Sequence, residues 1–270
     1  MIEILHRPTH HPVVAAIDFD GTLSLVRMGW QVVMHEVMKR ALAPYHPHLD
    51  RIDAEITGYI ARSTGQPSII QMAWVDEHVH LYGGPHHGAQ HYLDQFSHAM
   101  SDRINHRIAT MTSNVTADRH MIRGARAFLQ RLTNRGVHIA LVSGTEYHHL
   151  VRESTALGIA PFFDAGIFGP GAHAPGFTKA EAMAALVERY ELLPGQLLSI
   201  GDGPVEISAG KSLDGYCIAV ASDEETGELD IHKRTHLLHA GADAVIANFL
   251  PLDRLTTLLF DRESDASSSF

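Results

Sequence analysis

Short apolar runs alternate with helical patterns along most of this chain, and the alternation is the feature that most restricts its fold. The runs have the length and composition of buried strands, and they occupy residues 13–17, 137–142, 197–200, 216–221 and 244–246. Between them lie amphipathic helical patterns, such as the one over residues 121–132 that places its apolar residues on one face. Alternating strands and helices predict an α/β fold with a parallel sheet.

Residues 28–115 lack this alternation. Helical patterns cover residues 30–42, 51–62, 69–82 and 91–107, and Pro- and Gly-containing breaks separate them. A helical insertion inside an α/β domain is typical of a cap. The sequence therefore predicts a core domain of residues 1–27 and 116–270 and a helical cap domain of residues 28–115.

Two carboxylates, Asp18 and Asp20, directly follow the first apolar run and precede Gly21 and Thr22. Folds with an open parallel sheet place their chemistry at the carboxyl ends of the strands. A nucleophilic carboxylate beside a carboxyl acid or base suits phosphoryl transfer, provided that a cation offsets their repulsion. A strand-end turn rich in Asp and Gly is the alternative interpretation, and this segment alone leaves both open.

Three further segments carry groups of the same chemistry. Ser143 and Gly144 follow the second apolar run, Lys179 opens a predicted helix, and Asp202 and Glu206 follow the third run. A hydroxyl, backbone N–H groups and an ammonium group can hold phosphate oxygens, and carboxylates suit Mg²⁺. Taken singly, each has an ordinary alternative: a helix-capping serine, a solvated lysine and a turn aspartate.

In this order and spacing, the four segments resemble the four motifs of the haloacid dehalogenase (HAD) superfamily over residues 13–260. The resemblance implies a Rossmann-like core, and the insertion lies where that family carries its helical, C1-type caps. More narrowly, the chain is similar to a bacterial subgroup of uncharacterised phosphatase-like members. That likeness rests on residues 23–30, 64–66, 70–72, 200–207, 220–224 and 240–243.

The resemblance implies that Asp18 forms an aspartyl-phosphate and that Asp20 is the general acid and then the general base. It also implies Mg²⁺ as the cofactor, held by Asp18, the backbone carbonyl of Asp20, and Asp202. Glu206, where many family members have Asp, is expected to act through water or to orient the surroundings of Asp202. An acid at position 20 favours phosphoryl transfer over dehalogenation.

The family's phosphate-binding positions also have matches in this chain, and they are Thr22, Ser143, Gly144 and Lys179. The candidate substrate-binding residues are Arg27 and Trp30, at the entrance to the predicted cap, and Gln66 within it. For Arg27 a surface ion pair is an equal alternative, and for Trp30 a place in the core of a helix face is an equal alternative.

The expected function is Mg²⁺-dependent hydrolysis of a small phosphorylated metabolite, with a sugar phosphate favoured. A phosphosugar mutase of the same superfamily is the first alternative. The second is a non-catalytic module that binds a phosphate ligand.

Composition limits the other partners. The formal net charge is −10 and the chain has no block of Lys and Arg, which disfavours nucleic acid. No apolar run approaches the roughly 18 residues of a membrane-spanning helix. The first eleven residues lack the apolar core of a signal peptide, and there is a single cysteine. These features predict a cytoplasmic protein without a membrane partner.

Overall fold

The structure is a computed structural model, and it describes residues 2–63, 68–171 and 177–261. The chain divides into two compact units. The first comprises Met1–Val26 and Ile108–Phe270, and the second, called the helical unit below, is Arg27–Arg107. Residues 108–115, which the sequence pattern assigned to the insertion, group with the first unit.

The strands in the described part of the chain belong to the first unit, and they form one seven-stranded sheet. They are β1 (Ile2–Ile4), β2 (Val14–Ile17), β3 (His138–Val142), β4 (Gly166–Phe168), β5 (Leu197–Gly201), β6 (Tyr216–Val220) and β7 (Ala244–Ile246). Their order across the sheet is β1-β7-β6-β5-β2-β3-β4. All neighbouring strands are parallel except β1 and β7, which are antiparallel.

The five apolar runs of the sequence correspond to the five strands β2, β3, β5, β6 and β7, with β5 ending one residue beyond its run, so the predicted parallel α/β sheet is confirmed. The sequence did not predict β1 and β4. These two strands lie at the two ends of the sheet and have three residues each. A short edge strand pairs on one side only, and it needs no continuous apolar run of the kind that marks a buried strand.

The register of the central strands brings three loops to the same edge of the sheet. Ile17, the last residue of β2, pairs with Leu141 of β3 and with Ile200 of β5. The chain therefore leaves these three strands at the same level, and residues 18–24, 143–146 and 202–203 follow there.

Seven helices of the first unit lie among the described residues. They are α5 (Asn114–Ala117), α6 (Ala125–Asn134), α7 (Tyr147–Ala156), α8 (Lys179–Arg189), α9 (Pro204–Ser212), α10 (Ile231–His239) and α11 (Leu252–Phe260), with two 3₁₀ turns at Asp118–His120 and Ala160–Phe162. Alternate residues of β2, Val14 and Ala16, share a buried cluster with Met183 and Leu186 of α8. This burial fixes α8 against the sheet, and it places the first residue of the helix, Lys179.

The helical unit contains α1 (Trp30–Leu42), α2 (Ile52–Ser63), α3 (Ser68–Leu81) and α4 (Ala89–Thr110), the last of which ends just beyond the unit. The four predicted helical patterns correspond to these four helices. The unit has its own apolar core, which includes Met34, Met38, Ile56 and Met72. None of the helices in the described part of the chain is both long and apolar enough to cross a bilayer.

Candidate active site

Asp18 is a buried carboxylate at the carboxyl end of β2. Its backbone N–H donates to the carbonyl of Ile200 at 2.9 Å, which continues the pairing of β2 with β5 by one residue. Its Oδ1 accepts a hydrogen bond from Lys179 Nζ at 2.7 Å. Its side chain is 6% exposed, so the lysine supplies the countercharge that a buried carboxylate requires.

Lys179 connects two of the predicted site residues. Thr178 caps α8, since its side chain accepts a hydrogen bond from the Glu181 backbone N–H, and Lys179 begins the helix. Its Nζ also donates to Glu206 Oε2 at 3.0 Å. Burial would lower the pKa of Lys179, but the charges of Asp18 and Glu206 outweigh this effect and raise it above its ordinary value. The ammonium group therefore stays charged.

Glu206 is held in place from the opposite side by the turn after β5. Pro204 begins α9, and the Gly203 backbone N–H donates to Glu206 Oε1 at 2.7 Å. Burial raises the pKa of Glu206 to about 7, the Asp18 carboxylate adds to the rise, and Lys179 opposes it. Both oxygens of this carboxylate thus have fixed partners.

Asp202 completes a group of three carboxylates. Oxygens of Asp18, Asp202 and Glu206 all lie within 4.8 Å of one another. Burial also raises the pKa of Asp202, against the opposing charge of Lys233. Three clustered carboxylates repel one another, and oxygen is the donor that hard divalent cations prefer. The group therefore fits a cation such as Mg²⁺.

The loop after β2 brings Asp20, Gly21 and Thr22 beside this cluster. Asp20 Oδ2 accepts a hydrogen bond from Thr145 Oγ1 at 2.7 Å. Gly21 has a φ of +71°, and a Cβ there would lie 2.2 Å from Asp202 Oδ2, so only glycine fits. The hydroxyl of Thr22 is buried and has no hydrogen-bond partner among the described residues. A buried orphan hydroxyl at this place is suited to an oxyanion ligand.

Ser143 and Gly144 lie in the loop after β3. The Ser143 backbone N–H donates to the carbonyl of Phe168 at 3.0 Å, and its Oγ accepts from the Thr145 N–H at 3.2 Å. Ser143 is buried, whereas Gly144 is exposed. The register described above explains why this loop lies near the carboxylates.

Two residues at the site received no role from the sequence. Thr145 had a signal, because it lies two residues after Ser143 in the same predicted loop. Lys233, whose Nζ donates to Asp202 Oδ2 at 2.9 Å, had none, because it lies in a helix that follows a different strand. Burial would lower the pKa of Lys233, but Asp202 outweighs burial and raises it.

The structure describes two of the three candidate substrate-binding residues. Trp30 is the first residue of α1 and packs, partly buried, against the apolar core of the helical unit. Arg27 is also partly buried. Gln66 lies outside the described residues. A role for these three residues in substrate binding stays a prediction.

Comparisons with known proteins agree on the family. A family model described as haloacid dehalogenase-like hydrolase matches residues 13–214. No curated protein matches the chain at the level that marks a relative.

Solved structures share the fold at low sequence identity. A predicted phosphoglycolate phosphatase from Haemophilus somnus is 16% identical, with a TM-score of 0.62, and the match covers 92% of this chain and 99% of that one. A β-phosphoglucomutase from Clostridium difficile is 14% identical, with a TM-score of 0.58 and coverages of 92% and 97%. A haloacid dehalogenase-like protein of unknown function from Agrobacterium tumefaciens is 17% identical, with a TM-score of 0.62 and coverages of 91% and 98%. The family match over residues 13–214 shows that the chain belongs to the haloacid dehalogenase-like hydrolases.

Proposed function

We propose that this protein is a Mg²⁺-dependent phosphatase that hydrolyses a small phosphorylated metabolite, with sugar phosphates as the substrate class. The observation that carries the proposal is the cluster around Asp18. This buried carboxylate is paired with Lys179 and grouped with Asp202 and Glu206, and Asp20 lies two residues further along. Nucleophile, acid and cation ligands thus meet at one edge of the sheet.

In the first step, an oxygen of Asp18 attacks the substrate phosphorus. The bond between phosphorus and the ester oxygen breaks, and Asp20 gives its proton to the leaving oxygen. The hydrogen bond from Thr145 Oγ1 to Asp20 Oδ2 at 2.7 Å orients this carboxyl group. The products are an alcohol and a phosphoryl group bound to Asp18.

In the second step, Asp20, now a carboxylate, takes a proton from a water molecule. The water oxygen attacks the phosphorus, the bond to Asp18 breaks, and inorganic phosphate leaves. Asp18 is again a carboxylate and Asp20 again carries a proton, so the enzyme returns to its initial state.

Asp18, Asp202 and the backbone carbonyl of Asp20 would hold Mg²⁺, with Glu206 beside them. When bound, the cation supplies positive charge that offsets the repulsion between carboxylate and phosphate and stabilises the transition state. The phosphate oxygens would be held by Thr22, Ser143, Gly144 and Lys179. The buried, unpartnered hydroxyl of Thr22 supports this assignment.

Substrate selection is assigned in this proposal to the helical unit, through Arg27, Trp30 and Gln66. An arginine can pair with a second anionic group, and a tryptophan can stack on a sugar ring. Arg27→Ala is expected to change the ranking of substrates while leaving hydrolysis of the smallest phosphoesters intact.

The test is phosphate release from a panel of sugar phosphates, nucleotides and other small phosphoesters, with Mg²⁺ and with a chelator. The proposal expects release that needs Mg²⁺ and disappears in Asp18→Asn. Phosphate release that persists in Asp18→Asn, or no release from any substrate, would contradict it. Tight ligand binding without turnover would favour the binding module.

A phosphosugar mutase is the second candidate, because a β-phosphoglucomutase is among the solved structures with this fold. A mutase returns its phosphoryl group to a sugar and must exclude water from the intermediate. Activity that requires a sugar bisphosphate and converts one monophosphate into another would identify it. Release of inorganic phosphate at the same rate without the bisphosphate would exclude it.

A further inference from the structure

Lys233 is a charged side chain at the carboxylate cluster for which the proposed reaction has no role. It lies in the first turn of α10, where its backbone N–H donates to Oδ1 of the capping residue Asp230 at 3.0 Å. Its Nζ donates to Asp202 Oδ2 at 2.9 Å. An ammonium group therefore binds a carboxylate that is proposed to hold the cation.

The pair is only partly exposed to solvent. The side chains of Lys233 and Asp202 are 22% and 19% exposed. The attraction between two charges in such a place is screened less than on an open surface. This contact is therefore stronger than an ordinary surface ion pair.

Lys233 also has other acidic neighbours. Glu224 and Asp230 both interact with it electrostatically. A Cβ added to Gly21 would lie 2.2 Å from Asp202 Oδ2 and 3.2 Å from Glu224 Oε1. The carboxylates of Glu224 and Asp202 therefore both lie next to Gly21. Lys233 therefore has a second negative charge near its contact with Asp202.

We propose that Lys233 is an internal counterion of the metal site, whose ammonium group neutralises Asp202 in the metal-free protein and competes with the divalent cation for that carboxylate. The inference rests on the proposed function, which assigns the cation to Asp18 and Asp202. When the cation binds, the ammonium group leaves Asp202 and is held by the negative charges of Glu224 and Asp230. Lys233 is thus a positioning residue that sets the affinity for the cation.

The segment between β6 and α10 carries Glu224, and Lys233 follows in α10 itself. Neither residue has a role in the proposed reaction. Together they place an acid and a cation beside Asp202.

The test is calorimetric titration of Mg²⁺ alone into chelator-treated protein, without substrate. The variants are Lys233→Met, which removes the charge, and Lys233→Arg, which keeps it. Lys39→Met is the matched control, because it removes the same charge from an exposed pair with Asp53 in the helical unit. Asp202→Asn reports whether the cation is held at this site.

Loss of one competing charge is expected to lower the dissociation constant for Mg²⁺ about tenfold in Lys233→Met. Lys233→Arg and Lys39→Met should remain near the wild-type value. Should Lys233→Met fail to fold, Lys233→Gln, which is also uncharged, carries the same expectation.

The titrations separate a wrong metal assignment from a wrong counterion role. If Asp202→Asn binds Mg²⁺ as the wild type does, the cation is not held at Asp202, and the metal assignment of the proposed function fails with the inference. If Asp202→Asn weakens binding strongly while the uncharged Lys233 variants bind no more tightly than the wild type, the counterion role alone is overturned.

Discussion

Replacing Lys179 by methionine removes the positive charge that two buried carboxylates share. The side chains of Asp18 and Glu206 are 6% and 2% exposed, and Lys179 Nζ lies 2.7 and 3.0 Å from their oxygens. Removing one partner from a buried ion pair costs about 3–5 kcal/mol, because the remaining charge is uncompensated. Glu206, whose pKa is about 7, relieves part of this cost by taking up a proton. We therefore expect the free energy of unfolding of the metal-free protein to fall by about 3 kcal/mol.

The measurement is the unfolding of each variant in urea with a chelator present. Amide hydrogen exchange of residues in β2 and β5 monitors the unfolding of the sheet. Both tryptophans, Trp30 and Trp74, lie in the helical unit, so their fluorescence reports on that unit rather than on the sheet. Lys39→Met is the control, and we expect it to change the stability little because its ion pair is exposed. The reasoning is refuted if Lys179→Met and Lys39→Met unfold the sheet at the same urea concentration.

Three further predictions follow from single residues. Gly21→Ala places a Cβ 2.2 Å from Asp202 Oδ2, and we expect it to lower kcat/KM by about 100-fold or more. Near-normal rates would contradict the close approach of Gly21 to Asp202. Burial would raise the pKa of Asp76, but hydrogen bonds from His86 and from two backbone N–H groups outweigh burial and lower it. The Asp76 carboxylate stabilises the fold fully above its usual pKa of 3.8, and this stabilisation is lost as the pH falls below that value. Asp76→Asn should therefore lower the urea concentration at half-unfolding, monitored by tryptophan fluorescence, near neutral pH but not in acid. A difference between the two proteins that does not depend on pH would refute this. Burial raises the pKa of Cys217 to about 12, so iodoacetamide should label the protein only after unfolding, and rapid labelling of the native protein would contradict its burial.

The sequence predicted the central part of the sheet and the edge at which the residues after its strands meet, because both depend on one local pattern. An apolar run marks a buried strand, and polar residues directly after it mark the strand's carboxyl end. Asp18, Ser143 and Asp202 each follow such a run, and parallel neighbours bring their ends together. Because Ile17 pairs with both Leu141 and Ile200, the three strands end at the same level of the sheet.

What the sequence missed depends on contacts without a local pattern. The edge strands β1 and β4 each pair on one side only, so neither needs the continuous apolar run that marks a buried strand. Lys233 reaches Asp202 across 31 residues, from a helix whose start is marked only by its capping aspartate. Its contact with Asp202 is set by the packing of α10, which no spacing in the sequence encodes.

The proposed mechanism requires that Asp18 accepts the phosphoryl group and that Asp20 is needed for its release. Its most direct test is rapid mixing of Asp20→Asn with p-nitrophenyl phosphate and Mg²⁺, because this leaving group needs little protonation. We predict a burst of about one equivalent of p-nitrophenolate per protein, no steady turnover, and a phosphorylated Asp18 in the acid-quenched peptide. No burst in Asp20→Asn, or steady turnover by Asp18→Asn, would contradict the mechanism.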